Sequence, residues 1–90
     1  MRADRQKLVR LLKTARGQVD GVLRMMEEDQ YCIDISRQIL AAEAVLRRAN
    51  SEILKAHLDG CVKQAFETGD EAEKQKKIQE IIEVFDALSR

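Results

Sequence analysis

Cys32, His57 and Cys61 are the only thiol and imidazole side chains in this 90-residue chain, and all three lie in one stretch between Tyr31 and Phe66. Two thiolates and one imidazole make a closed trigonal set for a soft metal ion. Cu(I) favours thiolate and accepts three ligands, whereas structural Zn(II) asks for four. A fourth ligand from water or a carboxylate would admit zinc or cobalt, so composition alone leaves the metal open. The plain alternative is that the cysteines are small buried apolar residues and the histidine a hydrogen-bonded structural one.

The elements that must position these groups follow from periodicity. The chain has no proline, and no glycine between Gly21 and Gly60, so nothing in the sequence interrupts a helix there. Ile35, Ile39, Ala42, Leu46, Ala49, Ile53 and Ala56 alternate steps of four and three, which predicts a buried seam along one helix from about Ile33 to Phe66. On that helix Cys32, His57 and Cys61 fall within about 40° of one another. Cys32 and Cys61 are nonetheless 29 positions apart, about 43 Å along a straight helix. One chain cannot close the triad. His57 and Cys61, at i and i+4, reach one ion from adjacent turns. If two copies of the helix pack antiparallel, Cys32 of one subunit meets His57 and Cys61 of its partner, giving a dimer with two identical sites.

The remaining chain supplies partners for that helix. Leu8, Leu12, Ala15, Val19, Val22 and Met26 predict a first amphipathic helix over Asp4 to Glu28, in which Gly17 and Gly21 suggest close approach of another helix. Arg2, Arg5, Arg10, Lys13, Arg16 and Arg24 gather in a stripe beside its apolar face, an electrostatic footprint for a polyanion such as nucleic acid or, more plainly, a solvated surface. Arg37, Arg48 and Lys55 on the long helix can extend it. Glu27 to Gln30 form a short connection, which forces antiparallel neighbours. Gly69 stops the long helix and Asp70 caps a third, over about Glu71 to Leu88, carrying Ile78, Ile81, Ile82, Phe85 and Leu88.

Formal net charge is zero, yet residues 1–26 hold seven Lys/Arg against two acids and the segment from Glu67 to Asp86 is acid-rich. With three aromatic residues and many Leu, Ile, Val and Ala, the chain reads as one all-α domain over residues 1–90 that leans on oligomerisation. No nucleophile elbow, phosphate loop or Cys-x-x-Cys motif supports an enzyme. With no signal peptide or membrane-length apolar run, two reduced thiols point to the cytoplasm.

The run Leu12 to Gly21, with Arg24-Met25-Met26-Glu27, Tyr31 to Ile35, Gln38-Ile39, Arg47 to Asn50 and His57-Leu58-x-x-Cys61, resembles the CsoR family of copper-sensing operon repressors over nearly the whole chain, Leu8 to Leu88. The resemblance implies a three-helix protomer assembled as a dimer of dimers, which binds operator DNA when metal-free and releases it on binding Cu(I). It implies Cys32, His57 and Cys61 as ligands, Tyr31 and Glu80 as the residues behind them, and Arg48 at the DNA beside Arg10, Lys13 and Arg16. Leu11 departs from an arginine that some members carry. Two other readings stand beside it: a persulfide- or thiol-sensing repressor of the same kind, and a copper-buffering protein that binds no DNA.

Overall fold

The computed structural model describes residues 1–88. Helix α1 spans Arg5–Glu27 and α2 spans Cys32–His57; a π-helical segment, Leu58–Val62, joins α2 to α3 at Lys63–Thr68, and α4 spans Glu71–Leu88. No strand occurs among the described residues. The protomer is thus all-α, with a long central helical rod, α2 through α3, flanked by α1 and α4.

Each helix begins and ends for a local reason. Asp4 caps α1 by accepting from the Lys7 amide at 3.2 Å, and Asp70 caps α4 by accepting from the Glu73 amide at 2.9 Å, each satisfying an otherwise orphaned donor. At the far end of α1, the amide of Asp29 donates to Met26 and that of Gln30 to Met25. With Asp29 at φ 53°, this is a Schellman closure whose left-handed position holds an aspartate instead of the usual glycine. Gly69 is extended, with φ −84°, and its requirement is steric. A Cβ there would lie 2.5 Å from the Ala65 carbonyl oxygen.

The core runs between α1 and α2, which pack as an antiparallel hairpin. Leu8, Ala15 and Val22 are buried against Ala42 and Ala49, with Leu11, Gln18 and Met25 half-buried between them on α1 and Gln38, Val45 and Glu52 on α2. The alternating steps are as expected, but half of the expected seam is rotated out. Leu12, Val19, Met26, Ile39, Leu46 and Ile53 are exposed, because the second helix packs on the other side of each buried residue, where Leu11, Gln18, Met25, Val45 and Glu52 fill the seam. In an antiparallel pair these rotated positions share one side of the hairpin, so together they form a continuous apolar face.

Two further expectations change. The long helix is interrupted, since at Leu58–Val62 the hydrogen bonding shifts to i→i+5. Gly17 has no atom of another helix within 4 Å of where a Cβ would stand, and Gly21 meets only the Arg24 side chain at 3.8 Å, so neither marks a close approach within the protomer. Helix α4 buries no residue fully; it rests Ile81, Val84 and Phe85 against Leu54, His57 and Leu58 around a cavity of about 30 Å³.

Candidate metal centre and nucleic-acid face

His57 closes α2 and Cys61 lies within the π segment that follows. The wider turn there replaces the α-helical i, i+4 stacking on which the spacing argument relied, while keeping the two residues on successive turns of one rod. His57 faces α4, where its Nε2 lies 3.9 Å from Glu80 Oε2. Lys77 Nζ reaches the same carboxylate oxygen at 3.9 Å. Both separations exceed hydrogen-bond length, so Glu80 stands near the imidazole without fixing it. Cys61 is half-buried and opens onto a different cleft, between α3 and α4, bordered by Gln64, Thr68, Lys76 and Lys77.

Cys32 opens α2, exposed, at the opposite end of the rod. Beside it Tyr31 is 67% exposed; its carbonyl accepts the amides of Asp34 and Ile35 and so starts the helix. The structure therefore brings His57, Cys61 and Glu80 to one end of a protomer and leaves Cys32 and Tyr31 at the other. Among the described residues, no three His, Cys, Asp or Glu side chains of one protomer gather into a metal-sized cluster.

A contact with no local signal braces the π segment. The stem of Arg2 crosses Gly60 so closely that a Cβ there would stand 2.7 Å from Arg2 Cγ. The guanidinium then donates to Gln64 Oε1 at 3.2 Å. A contact between residues 62 positions apart carries no local pattern, and only the fold reveals it.

Arg10, Lys13, Arg16 and Arg48 are all exposed, and among the described residues none has an ion-pair partner; the nearby Lys7 is instead engaged by Glu52 at 3.2 Å. Arg10, Lys13 and Arg16 occupy the outer surface of α1. Arg48 and Lys55 flank the seam on the side of the hairpin away from the apolar face. Leu11 is half-buried in the α1–α2 seam, where a charged side chain would be taken out of water. No helix of the described residues is long and apolar enough to cross a membrane.

Comparison with known proteins agrees with this architecture. The chain is 40% identical over 81 residues to the copper-sensing transcriptional repressor CsoR of Mycobacterium tuberculosis (strain ATCC 25618 / H37Rv), covering 90% of this chain and 66% of that protein. It spans between 50% and 66% of the length of the mycobacterial relatives it matches. The crystal structure of the copper-sensing repressor CsoR with Cu(I) from Geobacillus thermodenitrificans NG80-2 superposes with a TM-score of 0.84 at 33% identity, over 94% of this chain and 85% of that one. The nickel-responsive transcriptional regulator InrS superposes with a TM-score of 0.80 at 27% identity, over 94% and 96% of the two chains. Residues 4–87 match the model of the metal-sensitive transcriptional repressors, and the chain belongs to that family.

Proposed function

We propose that this protein is a cytoplasmic Cu(I)-responsive repressor, a homodimer that pairs into a homotetramer, which holds operator DNA when metal-free and releases it when Cu(I) binds. The observation that carries the reading is the placement of the three soft ligands at opposite ends of one rod, beside an apolar hairpin face that no other described residue of the protomer covers. Two copies packed antiparallel through that face bring Cys32 of one subunit to His57 and Cys61 of the other. Two thiolates and one imidazole then satisfy a three-coordinate soft ion. Cu(I) bound there supplies no reaction chemistry; it cross-links two subunits. Glu80, already near His57, orients the imidazole, and Tyr31 arrives from the partner with Cys32. Arg10, Lys13, Arg16 and Arg48 meet DNA phosphates away from the metal ligands, so copper and DNA act on each other through packing instead of competing for one place.

Mixing two defective variants tests the shared site. Cys32→Ala and Cys61→Ala are each expected to lose tight Cu(I) binding. In heterodimers formed by random exchange, one of the two sites is intact and the other lacks both thiolates. Mixing equal amounts should therefore restore about a quarter of all sites. X-ray absorption of the copper-loaded parent should show sulfur and nitrogen neighbours at one ion per protomer. No recovery on mixing, or oxygen and nitrogen neighbours only, would contradict the intersubunit triad.

A further inference from the structure

We propose that the cleft between α3 and α4 receives a small anionic thiol, one carrying carboxylate groups, which delivers Cu(I) to Cys61. The proposal deepens the copper reading above and rests on it. The cleft measures about 300 Å³, at the small end of the range for ligand sites. Its wall carries the half-buried Cys61 thiol together with Thr68, Glu73, Lys76 and Lys77.

The charge balance of that wall favours an anion. Lys77 is partly engaged by Glu80 at 3.9 Å, but Lys76 has no ion-pair partner among the described residues. Glu73 is the one acid, and its carboxylate lies toward Gly69, where a Cβ would be 2.6 Å from Oε2. Cys32 provides an internal contrast. It is exposed, lies in none of the cavities that border Cys61 or His57, and follows a connection that contains Glu27, Glu28 and Asp29. The cleft beside Cys61 thus offers an anion an unpaired lysine within an otherwise acid-rich segment.

The chemistry of delivery needs no oxidant. In a reducing, thiol-rich compartment Cu(I) travels on thiolates. The Cys61 sulfur forms a new bond to copper, the donor's sulfur–copper bond breaks, and the Cys61 proton leaves with the departing thiolate. Copper stays Cu(I) throughout. Lys76 and Lys77 hold the donor's carboxylates while the exchange proceeds. Copper enters through one protomer's own cleft, and the partner's Cys32 completes the site afterwards.

Alkylation of the reduced, copper-free protein tests the cleft without copper. Anionic iodoacetate and neutral iodoacetamide are compared at each cysteine by peptide mass spectrometry. At low salt the iodoacetate-to-iodoacetamide rate ratio should be about threefold or more higher at Cys61 than at Cys32, as expected for one nearby unpaired charge. Lys76→Glu, a change at an exposed position, should abolish that difference. Copper transfer is then followed from Cu(I)-mercaptosuccinate, a dicarboxylate thiol, and from Cu(I)-thioglycerol, a neutral one. Lys76→Glu should slow the first several-fold and leave the second unchanged, with the copper affinity at equilibrium unaltered. Equal alkylation ratios at the two cysteines, or equal slowing from both donors, would overturn the proposal. If neither donor loads the parent while the alkylation preference holds, the copper reading itself fails, an outcome distinct from the failure of the cleft.

Discussion

At the scale of single residues, copper sensing would depend on how an imidazole reports that a metal has bound. His57 is held at the junction of α2 and the π segment with Glu80 Oε2 3.9 Å from its Nε2, close enough for a small ring movement to make a hydrogen bond. Ligation through one ring nitrogen fixes the other as a donor, and a carboxylate nearby is the natural acceptor. Lys77, also 3.9 Å from that oxygen, competes for it and keeps the contact loose. Glu80→Ala and Tyr31→Phe are therefore expected to leave Cu(I) affinity within a few-fold of the parent while shrinking the effect of copper on DNA affinity. A typical coupling is about 1–3 kcal/mol, so losing most of it is a change that anisotropy titrations resolve. Copper-induced loss of DNA affinity that is equal in the parent and both variants would remove these two residues from the mechanism and leave the triad in place.

At the scale of elements, the strained and crowded positions give the sharpest stability tests. Asp29 holds a left-handed conformation that costs an ordinary residue roughly 1–2 kcal/mol, while glycine adopts it freely at some entropic cost. Asp29→Gly is accordingly expected to stabilise the fold by about 0.5–1 kcal/mol. Gly69→Ala should destabilise by about 1–3 kcal/mol, since its Cβ would meet backbone and not a side chain that can turn away. Thermal unfolding of the two variants checks both signs.

The same scale shows what the sequence can carry. Helix limits were legible because Asp4, Asp70 and Gly69 are local signals, and the hairpin because Glu27 to Gln30 is too short to do anything else. The rotation of the seam was not. Leu12 and Leu11 are both leucines, and only tertiary packing chooses which one faces α2. The π segment was also hidden, because a shift from i+4 to i+5 hydrogen bonding leaves no mark on composition. The three ligand candidates stood out by chemistry, while the Arg2 brace over Gly60 and the lysines beside Cys61 depend on contacts distant in the chain.

At the scale of the whole molecule, shape explains why an apolar face is left at the surface. Its extents are 57 × 29 × 13 Å, and the last is hardly more than one helix diameter of about 10–12 Å. A single layer of helices has no second layer behind it, so the apolar face formed by Leu12, Val19, Ile39, Leu46 and their neighbours is left at the surface. Such a face, continuous along two helices, suits the association proposed above. Leu46→Glu places a charge at its middle and is expected to shift the protein toward monomer in sedimentation at micromolar concentration, with Cu(I) binding lost alongside because the site is shared. A monomeric variant that still bound copper through two sulfurs and a nitrogen would contradict the antiparallel arrangement.

In the proposed assembly, the basic surface of α1 and Arg48 would be duplicated by the same symmetry that builds the metal sites, which ties DNA binding to subunit geometry. In the proposed dimer, drawing Cys32 of one subunit toward His57 and Cys61 of the other would change how two hairpins sit together, and so the spacing of the charges proposed to meet phosphates. Linkage then requires DNA to weaken Cu(I) binding by the same factor that Cu(I) weakens DNA binding. The most direct test is a Cu(I) titration of the reduced protein bound to fluorescent DNA from its own promoter, followed by anisotropy at fixed salt. DNA should be released as copper reaches one ion per protomer, and Cu(I) affinity measured on the DNA complex should be lower by the matching factor. Undiminished DNA binding at saturating Cu(I) would contradict this coupling.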